Sequence, residues 1–306
     1  PMRVAVTGSS GLIGQALCER LRQEGHTILR IVRTRSAQAD DTCYWNPEIR
    51  EIDAGRLADS DAVVHLAGES VDGRWTSGKK CRIRESRVEG TRFLCEKLAA
   101  QSTPPKVLIC ASAMGIYGTR GSEELSEQSD SGRGFLAGVV RDWEAAVEPL
   151  QETETRIVQF RTGLVVAPHG GALRKMLLPF RLGLGGKLGS GAQFWSWVSL
   201  WDVTRAFAQA LTSGSWSGAY NLTAPYPVTN VQFTQILGRV LRRPTLFPVP
   251  EFILKLIFGE MAGGTMLASL RVLPDRLQAS GFKFENPELE ALLLTLLGTH
   301  QSDRPK

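Results

Sequence analysis

Gly8, Gly11 and Gly14 stand three residues apart in Thr7-Gly8-Ser9-Ser10-Gly11-Leu12-Ile13-Gly14, directly after the run Arg3-Val4-Ala5-Val6-Thr7. In that position each glycine has a separate task. The first permits a tight turn off a strand, the second lets backbone approach a pyrophosphate, and the third lets the next helix pack closely on the sheet. The start of that helix then offers free N–H groups and the positive end of its dipole to phosphate. A glycine triplet alone is a weak signal, but between a strand and a helix it points to a bound dinucleotide. Thr7, Gly8, Ser10, Gly11, Leu12, Ile13 and Gly14 are the cofactor-binding residues expected of this loop.

If the cofactor were NAD, an acid about 20 residues beyond the loop should hold the adenosine ribose. Ile31-Val32-Arg33-Thr34-Arg35 places Arg33 there, and no Asp or Glu follows until Asp40. A carboxylate would repel a 2′-phosphate, whereas a guanidinium can grip it with two hydrogen bonds and stack on adenine. The expected cofactor is therefore NADP. The bland alternative is a surface arginine at a strand end.

These residues need a scaffold, and the surrounding pattern supplies one. Leu12-Ile13, Ala16-Leu17 and Leu21 recur at helical spacing, and Thr27 to Val32 reads as a second strand. Strand, turn, helix and strand in about 30 residues make a βαβ unit with a parallel sheet. Ala62 to Leu66, Lys106 to Cys110 and Arg156 to Arg161 read as further strands, and the first two are apolar runs suited to burial on both faces. Helices are predicted over Lys80 to Ala100 and Gly134 to Leu150. From about Pro168 the texture becomes rich in glycine and aromatics, ending at Trp195-Ser196-Trp197. The division predicted is residues 1–167 for cofactor binding, 168–300 for a substrate lobe interleaved with it, and 301–306 for a solvated tail.

With 306 residues, 42% of them hydrophobic and 22% charged, the chain has the composition of a folded globular protein. The net charge of +5 is scattered, and its densest run, Lys79 to Arg84, lacks the interleaved aromatics of a nucleic-acid surface. No stretch reaches the roughly 20 apolar residues of a membrane span, and no secretory signal pattern precedes the first strand. Five cysteines without a CxxC pair argue for free thiols in a cytoplasmic setting, and the four histidines lack metal-ligand spacing.

The chain also resembles a known family. Thr-Gly-x-x-Gly-x-x-Gly, His65-Leu66-Ala67-Gly68 and Ser112-Ala113-Met114-Gly115-Ile116-Tyr117-Gly118 resemble the extended short-chain dehydrogenases/reductases. Trp143-Glu144-Ala145-Ala146, Gly170-Gly171-Ala172-Leu173 and Leu178 to Gly186 are similar to the atypical branch described as sugar-nucleotide epimerase-like, or epimerase family, proteins. The resemblance covers nearly the whole chain. It implies an α/β fold, a Rossmann-type doubly wound parallel sheet with a smaller C-terminal α+β substrate lobe. It also implies that Leu66, Ala67 and Gly68 line the cofactor, that Arg87 faces it from a helix, and that Leu164 touches its nicotinamide end. Against these stand a helix-surface arginine paired with a nearby Glu and a core leucine. The resemblance further places the segment Arg181 to Trp201 over the pocket, with Arg181 and Trp197 as substrate contacts. The tryptophans there equally suit a core or the subunit contact of a homodimer.

Related oxidoreductases move a proton with a tyrosine and a lysine four residues later on one helix face. If Glu144 matches the glutamate that follows that lysine by four, the lysine position holds Val140 and the tyrosine position Leu136. No tyrosine or lysine lies between Gly118 and Glu148, so no shift of alignment restores the pair. Ser112 and Tyr117 remain as candidate proton carriers, against a strand-end hydroxyl and a packed tyrosine as the bland readings. Two classes of function stay open: an NADP-dependent epimerase or reductase acting on a nucleotide-linked or other anionic small molecule, and an NADP(H)-binding sensor or scaffold without turnover.

Overall fold

The structure is a computed structural model of the chain and describes residues 1–35 and 39–298. The tail expected at 301–306 lies outside the described residues. In chain order the framework is β1 (Arg3–Thr7), α1 (Leu12–Gln23), β2 (Thr27–Val32), β3 (Thr42–Asn46), β4 (Glu51–Ile52), β5 (Ala62–His65), α2 (Ser77–Ala99), β6 (Val107–Ala113), α3 (Phe135–Ala145), β7 (Arg156–Thr162), β8 (Leu164–Val166), α4 (Gly171–Arg181), β9 (Trp197–Ser199), α5 (Leu200–Thr212), β10 (Gly218–Leu222), α6 (Asn230–Leu241), α7 (Glu251–Phe258) and α8 (Leu289–Leu297).

One eight-stranded sheet orders these strands β10-β7-β6-β5-β1-β2-β3-β4. Seven run parallel, and only the short edge strand β4 is antiparallel to its neighbour. The apolar strands are buried on both faces because alternate side chains enter different cores. Val4 and Val6 pack with Leu17 and Leu21 of α1 and Phe207 of α5, while Ala5 packs on the other face with Phe93, Leu94 and Leu98 of α2. That two-sided covering gives the doubly wound α/β fold.

Strand order reverses between β1 and β5, which are neighbours with Thr7 opposite His65. In such sheets ligands bind outside the carboxyl ends of the strands at this reversal. The C-terminal part builds a separate apolar cluster in which Trp197, Phe180, Phe233 and Leu293 join α4, α6 and α8. It also returns to the main sheet, since β10 lies beside β7.

Two local expectations shift. The helix predicted over Gly134 to Leu150 breaks after Ala145 and resumes as one turn at Glu148–Gln151, which has Pro149 inside its first turn. Asp202, whose type and place before the apolar run Val203 to Leu211 suit an N-cap, lies within the first turn of α5 instead. The cap is Ser199, whose hydroxyl accepts the Asp202 N–H at 3.0 Å. The buried Asp202 carboxylate accepts the N–H groups of Glu285 and Asn286 at 3.0 and 2.9 Å, tying the C-terminal segment to the helix.

Candidate active site

The glycine loop has the shape its sequence implies. Gly8 takes φ +66°, and a Cβ there would lie 2.9 Å from the backbone of both Leu66 and Ala67. A Cβ on Gly14 would come within 2.1 Å of the Gly8 carbonyl oxygen, so the first turn of α1 sits directly against the loop. Gly11 caps α1 with no side chain on the free amides and no acid in the first turn. Loop and helix end thus form a bare cradle of backbone donors, which suits a pyrophosphate. Leu12 opens the helix against Gly170, where a Cβ would lie 2.8 Å from its Cδ1, while Ile13 packs on the core below. The Ser10 carbonyl accepts the Gln15 side-chain amide at 2.7 Å, which steadies the loop from outside.

Thr7 holds the cradle to the neighbouring strand. Its buried hydroxyl oxygen accepts the N–H groups of Leu66 and Ala67 at 3.0 and 3.2 Å and lies 2.7 Å from Nδ1 of His65. With both lone pairs engaged, that hydroxyl must donate to Nδ1, which fixes the proton of a neutral His65 on Nε2. Nε2–H then donates to Thr91 Oγ1 at 2.9 Å, which also accepts the Trp143 indole N–H at 3.1 Å. Full burial pulls His65 down to a pKa of about 4, so its ring is uncharged at neutral pH.

The backbone of Leu66 and Ala67 therefore lies against the glycine loop at the carboxyl end of β5, with Gly68 next in the chain. Gly68 lies against Arg87, since a Cβ there would be 3.2 Å from the guanidinium carbon. Among the described residues no carboxylate is hydrogen-bonded to Arg87. The guanidinium donates to the carbonyl oxygens of Glu69 and Ile83 at 2.7 and 3.3 Å and lies over the Trp143 ring. Burial lowers it to a pKa of about 10, yet it remains a cation at neutral pH, held at the crevice wall. Arg33 stands just beyond β2, with its side chain 56% exposed beside Glu48 at 2.9 Å. An exposed pair of this kind is weak. A 2′-phosphate could displace it.

Ser112 and Tyr117 are brought together, but in a bonded network. The Ser112 hydroxyl donates to Glu144 Oε1 at 2.6 Å, and Arg161 grips both Glu144 oxygens at 2.8 Å. Tyr117 is fully buried; its hydroxyl donates to Asn221 Oδ1 at 2.6 Å and accepts from Arg161 at 3.0 Å. Burial raises the phenol pKa despite the nearby Arg161. Val140 is in the core beside Tyr117, and Leu136 lines an open cavity of 480 Å³ with Trp75, Gly115, Arg133, Gly263 and Gly264.

Neither Arg181 nor Trp197 borders that cavity. Trp197 has no exposed surface, and its indole N–H donates to the Tyr226 carbonyl at 3.1 Å, so it is a core residue of the C-terminal part. Arg181 is exposed at the end of α4, where its carbonyl accepts from Arg243 at 2.8 Å. Leu164 opens β8, half-buried at the edge of the third core cluster. Sequence reasoning missed Arg161, Asn221 and Trp75. A charged residue ending the apolar strand Ile157-Val158-Gln159-Phe160 was a legible sign of a partner for Arg161. Trp75, in a loop, carried no such sign. Among the described residues no cluster of His, Cys, Asp or Glu could hold a metal.

The chain matches the NAD dependent epimerase/dehydratase family over residues 4–223 and a domain of unknown function, DUF1731, over 249–296. It is 35% identical to human epimerase family protein SDR39U1 over 95% of this chain and 98% of that protein. Identity to an epimerase family protein of Mycobacterium bovis is 43%, over 92% of this chain and 93% of the relative. The crystal structure of human SDR39U1 (isoform 2) with NADPH is similar at TM-score 0.90 and 33% identity, covering 97% of this chain and 99% of that one. Structures of UDP-glucose 4-epimerases with NAD or UDP-glucose, at 20% identity or less, share the fold. The chain belongs to the NAD dependent epimerase/dehydratase family, among its SDR39U1-like epimerase family proteins.

Proposed function

We propose that this protein binds NADP(H) in the crevice above Thr7 and His65. It would present the cofactor to a nucleotide-linked or other anionic small molecule in the cavity beside Leu136, as an epimerase- or reductase-type enzyme without the tyrosine–lysine pair. The observation that carries this reading is the bare backbone cradle of Gly8, Gly11 and Gly14, with Arg33 the residue that follows β2 and its guanidinium held only by an exposed pair with Glu48. The NADPH bound by the human relative supports it. When bound, such a dinucleotide supplies or accepts a hydride.

The chain's own part is positional. Amides at the start of α1 hold the phosphates, Arg33 takes the 2′-phosphate, and the backbone of Leu66 to Gly68, with Arg87 behind it, walls the ribose on the nicotinamide side. The second reading is an NADP(H)-binding sensor or scaffold, and Leu136 and Val140 favour it because neither can exchange a proton. Titration with NADPH followed by its fluorescence tests the common core of both readings. Conversion of a candidate substrate separates them, read as oxidation of NADPH for a reductase and as appearance of the epimer, with no net change in the cofactor, for an epimerase.

A further inference from the structure

The cavity beside Leu136 has a lining unlike that of a sugar site. Trp75 closes one side, with its ring centroid 5.2 Å from that of Phe135, and its indole N–H is already donated to the Val71 carbonyl at 2.8 Å. Much of the remaining wall is glycine backbone and the apolar side chains of Leu136 and Leu270. Its polar side chains are mostly engaged. Glu260 is paired with Lys80 at 2.6 Å, Lys255 is paired with Glu251, and the Thr119 hydroxyl oxygen accepts the Ser269 N–H at 3.0 Å. Arg133 differs. Among the described residues its guanidinium has no hydrogen-bond or ion-pair partner.

A sugar brings several hydroxyls, and most of them would leave water here for a wall with few side chains free to replace it. An apolar body gains by entering such a wall, and one free guanidinium matches one anionic group. Building on the cofactor reading above, we infer that the cavity accepts an apolar ring or chain bearing a single carboxylate, in preference to a nucleotide-linked sugar.

The test is calorimetric titration of the protein, with and without NADPH, using 2-naphthoate, phenylpyruvate, 2-naphthalenemethanol and UDP-glucose. Arg133→Gln should weaken the two carboxylates by roughly tenfold or more, as for loss of a charge-assisted bond, and leave the uncharged alcohol unchanged. A Cβ at Gly263 meets nothing within 4 Å, so Gly263→Leu should fold normally and fill the space. It should abolish binding of the carboxylates and the alcohol while NADPH still binds. Saturation by UDP-glucose with the carboxylates silent would overturn the inference. So would the absence of binding by every probe, or carboxylate binding indifferent to both substitutions. NADPH affinity, read separately in each titration, shows whether the cofactor reading itself has failed.

Discussion

Arg161 holds Glu144 by both carboxylate oxygens, each at 2.8 Å, with the two side chains only 12% and 13% exposed. The same carboxylate takes the Ser112 hydroxyl, and the same guanidinium reaches the Tyr117 hydroxyl. The two hydroxyls that sequence offers as proton carriers are therefore anchored to one buried ion pair.

Breaking that pair from one side should be costly. Glu144→Gln leaves a buried guanidinium without its counter-charge, which typically costs about 3–5 kcal/mol. Replacing both partners, as Glu144→Leu with Arg161→Met, should recover most of the loss because the desolvation penalty goes as well. Urea unfolding of the two variants measures the difference.

His65 makes stability depend on pH. Its pKa is about 4 in the fold, whereas an unfolded histidine titrates near 6.5. The unfolded chain therefore binds a proton that the native chain refuses between those values. The contribution of neutral His65 is complete above about pH 6.5 and is lost as pH falls towards 4, at about 1.4 kcal/mol per pH unit at most. Urea titrations at pH 7 and pH 5 should show the native protein weaker at pH 5. His65→Gln, which keeps a donor and an acceptor without a titrating ring, should reduce that difference.

The chemistry should be slow on nucleotide sugars. General acid–base help is typically worth about 10²–10⁴-fold in rate, and neither Leu136 nor Val140 can give it. UDP-glucose with NADP(H) should show very slow or undetectable turnover. Tyr117→Phe removes a donor to Asn221 and an acceptor for Arg161, so it should cost about 1–3 kcal/mol of stability. Where slow turnover is measurable, Ser112→Ala and Tyr117→Phe identify the proton carrier by the greater loss. Brisk epimerisation unaffected by either would contradict the placement of Leu136 at the tyrosine position.

The parts written in local pattern were legible. β1, the glycine turn and α1 follow from a β-branched run, glycine spacing and a helical apolar period, and the structure retains all three. The tie from Thr7 through His65 to Thr91 was not legible, because it joins residues 58 and 26 positions apart. Trp197 misled for a related reason: a tryptophan in a glycine-rich segment looks like a ligand platform until α4, α6 and α8 are known to close over it. Asp202 shows a finer limit. Ser199 and Asp202 both suit the start of a helix, and the choice depended on the contact of Asp202 with residues 285 and 286.

The cofactor claim is tested most directly by titrating the protein with NADPH and NADH side by side, with Arg33→Ala in parallel. NADPH should bind more tightly. The substitution should weaken NADPH by about 1.5–3 kcal/mol, as for a charge-assisted hydrogen bond, and leave NADH nearly unchanged, because only NADPH carries the 2′-phosphate. Equal affinities, or NADH preferred, would contradict the account.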